Sequence, residues 1–257
     1  MPLSTDADGN LYNDGTGYKS GYRLNSLGVE SAQSVAYVTG FIPCKKGQTI
    51  KLTANIEADQ ITIEKAVTLD LGEKTLTTTS GWGGLLLKGG ASLVNGNLSH
   101  TGNTAAIKLW DAREISDVTI TVAFTEGKTK GGIVIQSDSV GVDVIKNVTI
   151  SVEGLTNGIE TYNCGKAAEL VIGSMNNVTI DAVGTAMNIS APCGTATDCT
   201  FSGDVTGIEL WIKGTYSATL ELVDCDVAGG SKAVYVHDEF NSNPDIENIG
   251  TLSLTVD

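Results

Sequence analysis

The chain has 257 residues, a formal net charge of -14 and 41% hydrophobic residues, of which only a small share is aromatic (5% Phe, Trp and Tyr). With 16 basic residues against 30 acidic ones and no basic stripe, it would repel a phosphate backbone, which excludes nucleic-acid binding. The 31 glycines beside 4 prolines, set among Val, Ile, Thr, Asn and Asp, are the composition of strands and turns around an aliphatic core.

Residues 1–52 open the chain with a texture of their own. The run Asp6-Ala-Asp-Gly-Asn-Leu-Tyr-Asn-Asp-Gly-Thr-Gly-Tyr is rich in turns and too poor in apolar residues for an independent core. Asp6, Asp8 and Asn10 suggest a calcium loop, but Gly17 stands at the twelfth position, where an acidic ligand is required. This segment is expected to be an attachment arm. No basic and apolar leader opens the chain, and no apolar run approaches membrane-spanning length. Neither secretion through a leader nor membrane insertion is therefore expected, and release from a cell would follow another route, such as lysis.

From residue 53 to 257 the sequence repeats. The first coil is expected to contain Ile61-Thr-Ile and Val67-Thr-Leu-Asp-Leu, then Lys74-Thr-Leu-Thr. A small residue then opens an alternating strand again and again: Gly84-Leu-Leu-Leu, Ala106-Ile-Lys-Leu, Gly132-Ile-Val-Ile, Gly158-Ile-Glu-Thr, Ala186-Met-Asn-Ile, Gly207-Ile-Glu-Leu and Ala233-Val-Tyr-Val. By subtraction these starts lie 21 to 28 residues apart (207 − 186 and 186 − 158 are the extremes). Within each period a second strand follows an Asn or Asp: Asp117-Val-Thr-Ile, Asn147-Val-Thr-Ile, Asn177-Val-Thr-Ile, Asp198-Cys-Thr-Phe and Asp224-Cys-Asp-Val. Such residues suit a tight turn because their side chains bond nearby backbone and tolerate unusual dihedrals.

Strand-only repeats of this length predict an all-β fold, a right-handed parallel β-helix of about eight coils, each stable only when stacked on its neighbours. Side chains two apart on the first strand should point inward: Leu85/Leu87, Ile107/Leu109, Ile133/Ile135, Ile159/Thr161, Met187/Ile189, Ile208/Leu210 and Val234/Val236. The segments Thr125–Lys130 and Asn241–Glu247 should bulge out as loops. The final strand, Thr251-Leu-Ser-Leu-Thr-Val, is followed by no polar cap, which points to a longer chain or a capping partner. The five cysteines (Cys44, Cys164, Cys193, Cys199 and Cys225) form no CxxC pair, and are expected as buried thiols, with Cys199 and Cys225 stacked one coil apart.

Two stretches of the arm, Gly17-Tyr-Lys-Ser-Gly-Tyr-Arg-Leu-Asn-Ser and Val38-Thr-Gly-Phe-Ile-Pro-Cys-Lys-Lys-Gly-Gln-Thr-Ile, resemble a segment of tail and fibre proteins of phages that infect Gram-positive gut bacteria. The coils resemble pectate-lyase-like β-helices, a family that includes phage tailspikes and bacterial surface proteins. The resemblance implies a virion appendage, a tail or head fibre or spike. It would be a homotrimer on the virion surface, bound to other virion proteins through its arm. A cell-surface adhesin and a polysaccharide lyase or hydrolase are the alternatives.

Alternation along the first strand leaves two outward ladders. One reads Leu86, Lys108, Val134, Glu160, Asn188, Glu209, Tyr235; the next reads Lys88, Trp110, Gln136, Tyr162, Ser190, Trp211, His237. Aromatic rings can cover the apolar faces of sugars while carboxylates and amides bond hydroxyls. Trp110, Tyr162, Asn188, Glu209, Trp211, Tyr235 and His237 are therefore candidates for binding a host surface polysaccharide. The same rings can equally cover the outer sheet or pack against a neighbouring subunit. Glu160 and Glu209 are weak catalytic candidates. They lie two coils apart, about 9.6 Å between backbones, near the upper limit for an inverting pair. No cofactor is expected. His100 and His237 are the only histidines and lack the company of a triad or a metal motif. Asp224, Asp226, Asp238 and Glu239 offer calcium an alternative but fall on different turns, and Arg113 is expected in a turn with no acidic ladder beside it.

Overall fold

The computed structural model describes residues 3–5, 11–13, 41–42, 47, 49–52, 55–63, 66–81, 83–102, 104–123, 131–135, 139–161, 170–212, 217–238 and 252–256. Strands and turns make up all of these, with no helix among them. Two sheets run the length of a parallel β-solenoid. The front sheet stacks Ile61–Ile63, Leu85–Leu87, Ile107–Leu109, Ile133–Ile135, Asn157–Thr161, Thr185–Ile189, Thr206–Ile212 and Lys232–Asp238, each parallel to the next. The back sheet is built from longer strands, among them Ala91–His100, Asp111–Val122, Gly141–Val152 and Ile172–Ala182.

Each small residue of the repeat begins a front strand, and the strand after it alternates as expected. Leu85, Leu87, Ile107, Leu109, Ile133, Ile135, Ile159, Met187, Ile189, Ile208 and Leu210 are fully buried, at 0% exposure. The core between the sheets is aliphatic almost throughout, and burial of each such side chain contributes about 1.5–3 kcal/mol. The regular body comprises about six turns, from Leu85–Leu87 with Ala91–His100 to Thr206–Ile212 with Ala218–Val223 and Asp226–Gly229. The expected figure of about eight coils included the shorter turns that flank this body.

The repeated Asn or Asp does more than enter a strand. Asn95, Asp117, Asn147, Asn177, Asp198 and Asp224 all adopt left-handed dihedrals, with φ between 51° and 58°. A residue with a Cβ there costs about 1–2 kcal/mol, least for Asn and Asp. The side chains offset part of that cost by bonding along the axis: the Asn147 amide donates to Asp117 at 2.8 Å, and the Asn177 amide to Asn147 at 3.0 Å. The turn is tight enough that the back strand continues through it. Asp117-Val-Thr-Ile is therefore the second half of Asp111–Val122, and Arg113, expected in a turn, lies in the first half of that strand.

The two ends of the solenoid differ. At the first end, Leu3–Thr5 pairs parallel with Ile61–Ile63, and Leu11–Asn13 and Phe41–Ile42 extend the front sheet antiparallel. Thr49–Lys51 pairs with Thr68–Asp70 in the back sheet. The rest of the arm, including the calcium-like loop and most of both phage-like stretches, lies outside the described residues. At the other end, Val234 and Val236 sit in register over Ile208 and Leu210 but are 37% and 51% exposed. They occupy the inward positions, yet no further described turn covers them. Cys193 and Cys199 are buried free thiols, and Cys199 lies against Cys225 as expected, its pKa pushed up to about 11 by burial first and by its neighbour thiol second. Cys44, Cys164, Thr125–Lys130 and Asn241–Glu247 lie outside the described residues.

Candidate functional site

The first outward ladder is present in register. Lys108 pairs with Leu86 and Val134, Val134 with Glu160, Glu160 with Asn188, Asn188 with Glu209 and Glu209 with Tyr235. It is not an open strip along its whole length. Leu86 and Lys108 are 6% exposed, Val134 2% and, farther along, Asn188 8%, so only Glu160, Glu209 and Tyr235 of this ladder are partly exposed. Lys108 lies along the backbone of Gly83, where an added Cβ would stand 3.0 Å from its Cδ, an arrangement that buries the stem of a long cation.

The second ladder is split. Trp110 carries the Lys88 ammonium over its ring at 4.9 Å, but four rungs, about 19 Å, separate it from Trp211. Tyr162 and Gln136 lie outside the described residues. Ser190 is buried and turned onto its own sheet: its N–H donates to the Thr161 hydroxyl at 2.7 Å and its hydroxyl to the Thr161 carbonyl.

Five of the predicted residues come together on the last three front strands. The Asn188 amide donates to Oε2 of Glu209 at 3.0 Å. On the other oxygen, Nδ1 of His237 stands 3.2 Å from Oε1. Both carboxylate oxygens are thus engaged, and the imidazole is held with Nδ1 toward Glu209. The His237 ring stacks on Trp211, centroids 4.9 Å apart and planes at 15°, and Tyr235 tilts against it at 5.7 Å and 44°. A stack at the rung spacing turns ring faces along the solenoid axis and ring edges outward. The flat sugar platform expected from the ladder is therefore partly taken up inside the molecule. The indole N–H of Trp211 is enclosed and has no hydrogen-bond partner.

Two contributors escaped the sequence reading. The Lys232 ammonium sits 3.4 Å above the Tyr235 ring, and the Asn157 amide donates to Oε2 of Glu160 at 3.2 Å. Each immediately precedes the small residue of its repeat, and Asn157, Thr185, Thr206 and Lys232 stack in register. Alignment of the residue before each Gly or Ala would have revealed this third column.

Other chemistry is sparse. Asp224 and Asp226 are exposed, whereas the side chain of Asp238 and all of Glu239 lie outside the described residues. Among the described residues no three His, Cys, Asp or Glu side chains form a cluster able to hold a metal ion. A shallow groove of about 790 Å³, unforeseen from the sequence, runs along the turn ladder and is lined by Lys51, Asp70, Glu73, Asn95, Asn97 and Asp117 among others. Comparison with protein-family models, curated proteins and solved structures returns no match for this chain.

Proposed function

We propose that the chain is a phage virion appendage, a fibre or spike in which the arm docks on other virion proteins and the solenoid projects as a rigid, homotrimeric reader of a host surface polysaccharide. The observation that carries the binding role is the cluster of Asn188, Glu209, Trp211, Tyr235 and His237 on the last three front strands. Virion attachment rests on the resemblance of the arm. A parallel solenoid suits the role because its outward side chains are fixed by stacked backbone, so little freedom is lost on binding a long polymer. A glycan would meet ring edges, the Tyr235 hydroxyl and the Lys232 ammonium more than ring faces.

A binding role is favoured over hydrolysis by the state of Glu209. An acid or base must present its carboxyl to the substrate, whereas Asn188 and His237 occupy both oxygens of this one. The test is binding of the intact chain to a panel of purified bacterial surface polysaccharides, with product analysis in the same wells. Affinity for at least one polysaccharide is expected, weakened more than 10-fold by Tyr235→Ala or Glu209→Gln, an effect of about 1.4 kcal/mol or more. Binding that neither substitution alters would remove the site, and turnover abolished by Glu160→Gln and Glu209→Gln would favour the enzyme instead.

A further inference from the structure

A histidine stands inside the solenoid, away from the candidate site. His100 closes the back strand Ala91–His100 and is 0% exposed. Thr78 and Val122 flank it in register on the adjacent turns. The Thr78 hydroxyl lies 2.8 Å from Nδ1, and Nε2 has no hydrogen-bond partner. Backbone closes in on the ring from two sides. A Cβ on Gly102 would stand 2.8 Å from Nε2, and one on Gly84 would stand 2.8 Å from Nδ1. Only glycine leaves room for the imidazole at these two positions. Among the described residues, Thr78, Gly84, Gly102, Thr104 and Val122 lie around it, and none carries a charge.

We propose that His100 is an acid-operated joint: protonation of this enclosed imidazole, which has no counter-charge beside it among the described residues, loosens the turns between Ile56 and Val122 while those from Gly141 onward hold. Burial lowers its pKa to about 4 from the ordinary 6.5, and the nearby backbone of Thr104 and Thr78 offsets part of that shift without making a hydrogen bond to Nε2. With the folded value below the unfolded one, the unfolded chain holds the extra proton between pH 6.5 and pH 4. Stability is therefore full above pH 6.5 and falls as pH drops through that window, by about 160-fold in the folding equilibrium at pH 4 and approaching about 300-fold below it. His237 is partly exposed and paired with Glu209, so its titration is a separate event.

Three measurements test this joint, and none depends on what the protein binds. In proton NMR of the full chain, with His237→Gln to assign the signals, the His100 ring should stay neutral down to about pH 4. Titration near 6.5 in the folded chain overturns the proposal. In urea denaturation the folding equilibrium of the wild type should fall by about 70-fold more than that of His100→Gln between pH 7.5 and pH 4.5; parallel losses overturn it. Should His100→Gln fail to fold, the NMR titration and hydrogen exchange of the wild type decide. Hydrogen exchange at pH 4.5, corrected for intrinsic rates, should show lost protection confined to peptides within 56–122, and uniform loss along the chain overturns the local joint.

Discussion

Two turns written in nearly the same letters end in opposite states. Gly132-Ile-Val-Ile sits mid-solenoid, with Ile133 and Ile135 at 0% exposure; Ala233-Val-Tyr-Val forms the last front strand, with Val234 at 37% and Val236 at 51%. Ile133–Ile135 is paired on both sides, whereas among the described residues Lys232–Asp238 is paired only with the strand before it. The difference is the turn that follows. A coil of this fold does not bury its own side chains; its successor does, and the repeat contributes stability only in company. The cluster of Glu209, Trp211, Tyr235 and His237 sits on the two front strands nearest that uncovered edge, where the pattern costs least to interrupt.

The strongest way to break this comparison is to cut into the middle. Ile150 is fully buried and pairs with Ile120 on one side and Ile180 on the other. Ile150→Ala removes packing from three turns at once and should cost about 2–5 kcal/mol, read as a shift of the urea midpoint at unchanged slope. A loss below about 1 kcal/mol would mean that the core tolerates a missing side chain, and that central and terminal turns are less different than their burial implies.

The repeat was legible because its two signals are local. Alternation after Gly or Ala fixes which side chains face in, and Asn or Asp before Val or Cys fixes the corner. The inward pairs and the stacking of Cys199 on Cys225 followed from those two signals alone. What was not legible depends on neighbours several rungs away. Asn95 obeys the corner rule but is followed by Gly96, which hid it from a pattern written as polar then apolar. The outward ladder was correctly registered, yet its exposure was not, since the covering of Leu86 and Val134 is a matter of three-dimensional surroundings. The face-to-face stack of Trp211 on His237 depends on ring rotation, which no spacing in the sequence encodes.

A smaller effect sharpens the comparison at the corners. Asn147 stands at φ 52° and makes both ladder bonds, accepting from Asn177 and donating to Asp117. Asn147→Ala keeps the left-handed strain and loses the bonds, for an expected cost of about 1–2 kcal/mol. Asn147→Gly relieves the strain and loses the same bonds, so it should cost less. The gap between the two variants in thermal or urea unfolding isolates the dihedral contribution. Equal costs would mean that the ladder of side-chain bonds, and not the backbone, holds the corner.

The smallest effect belongs to the last turn. Val236 covers Leu210 from above and is itself 51% exposed, so Val236→Ser forfeits only part of one apolar contact. A cost within about 1 kcal/mol is expected, against several for Ile150→Ala. This comparison is informative in either direction. A cost near that of the central variant in dilute monodisperse protein would show that the final turn is covered in solution, by the chain itself or by another copy. Sedimentation of the same samples then separates those two covers, because only association between copies changes with protein concentration.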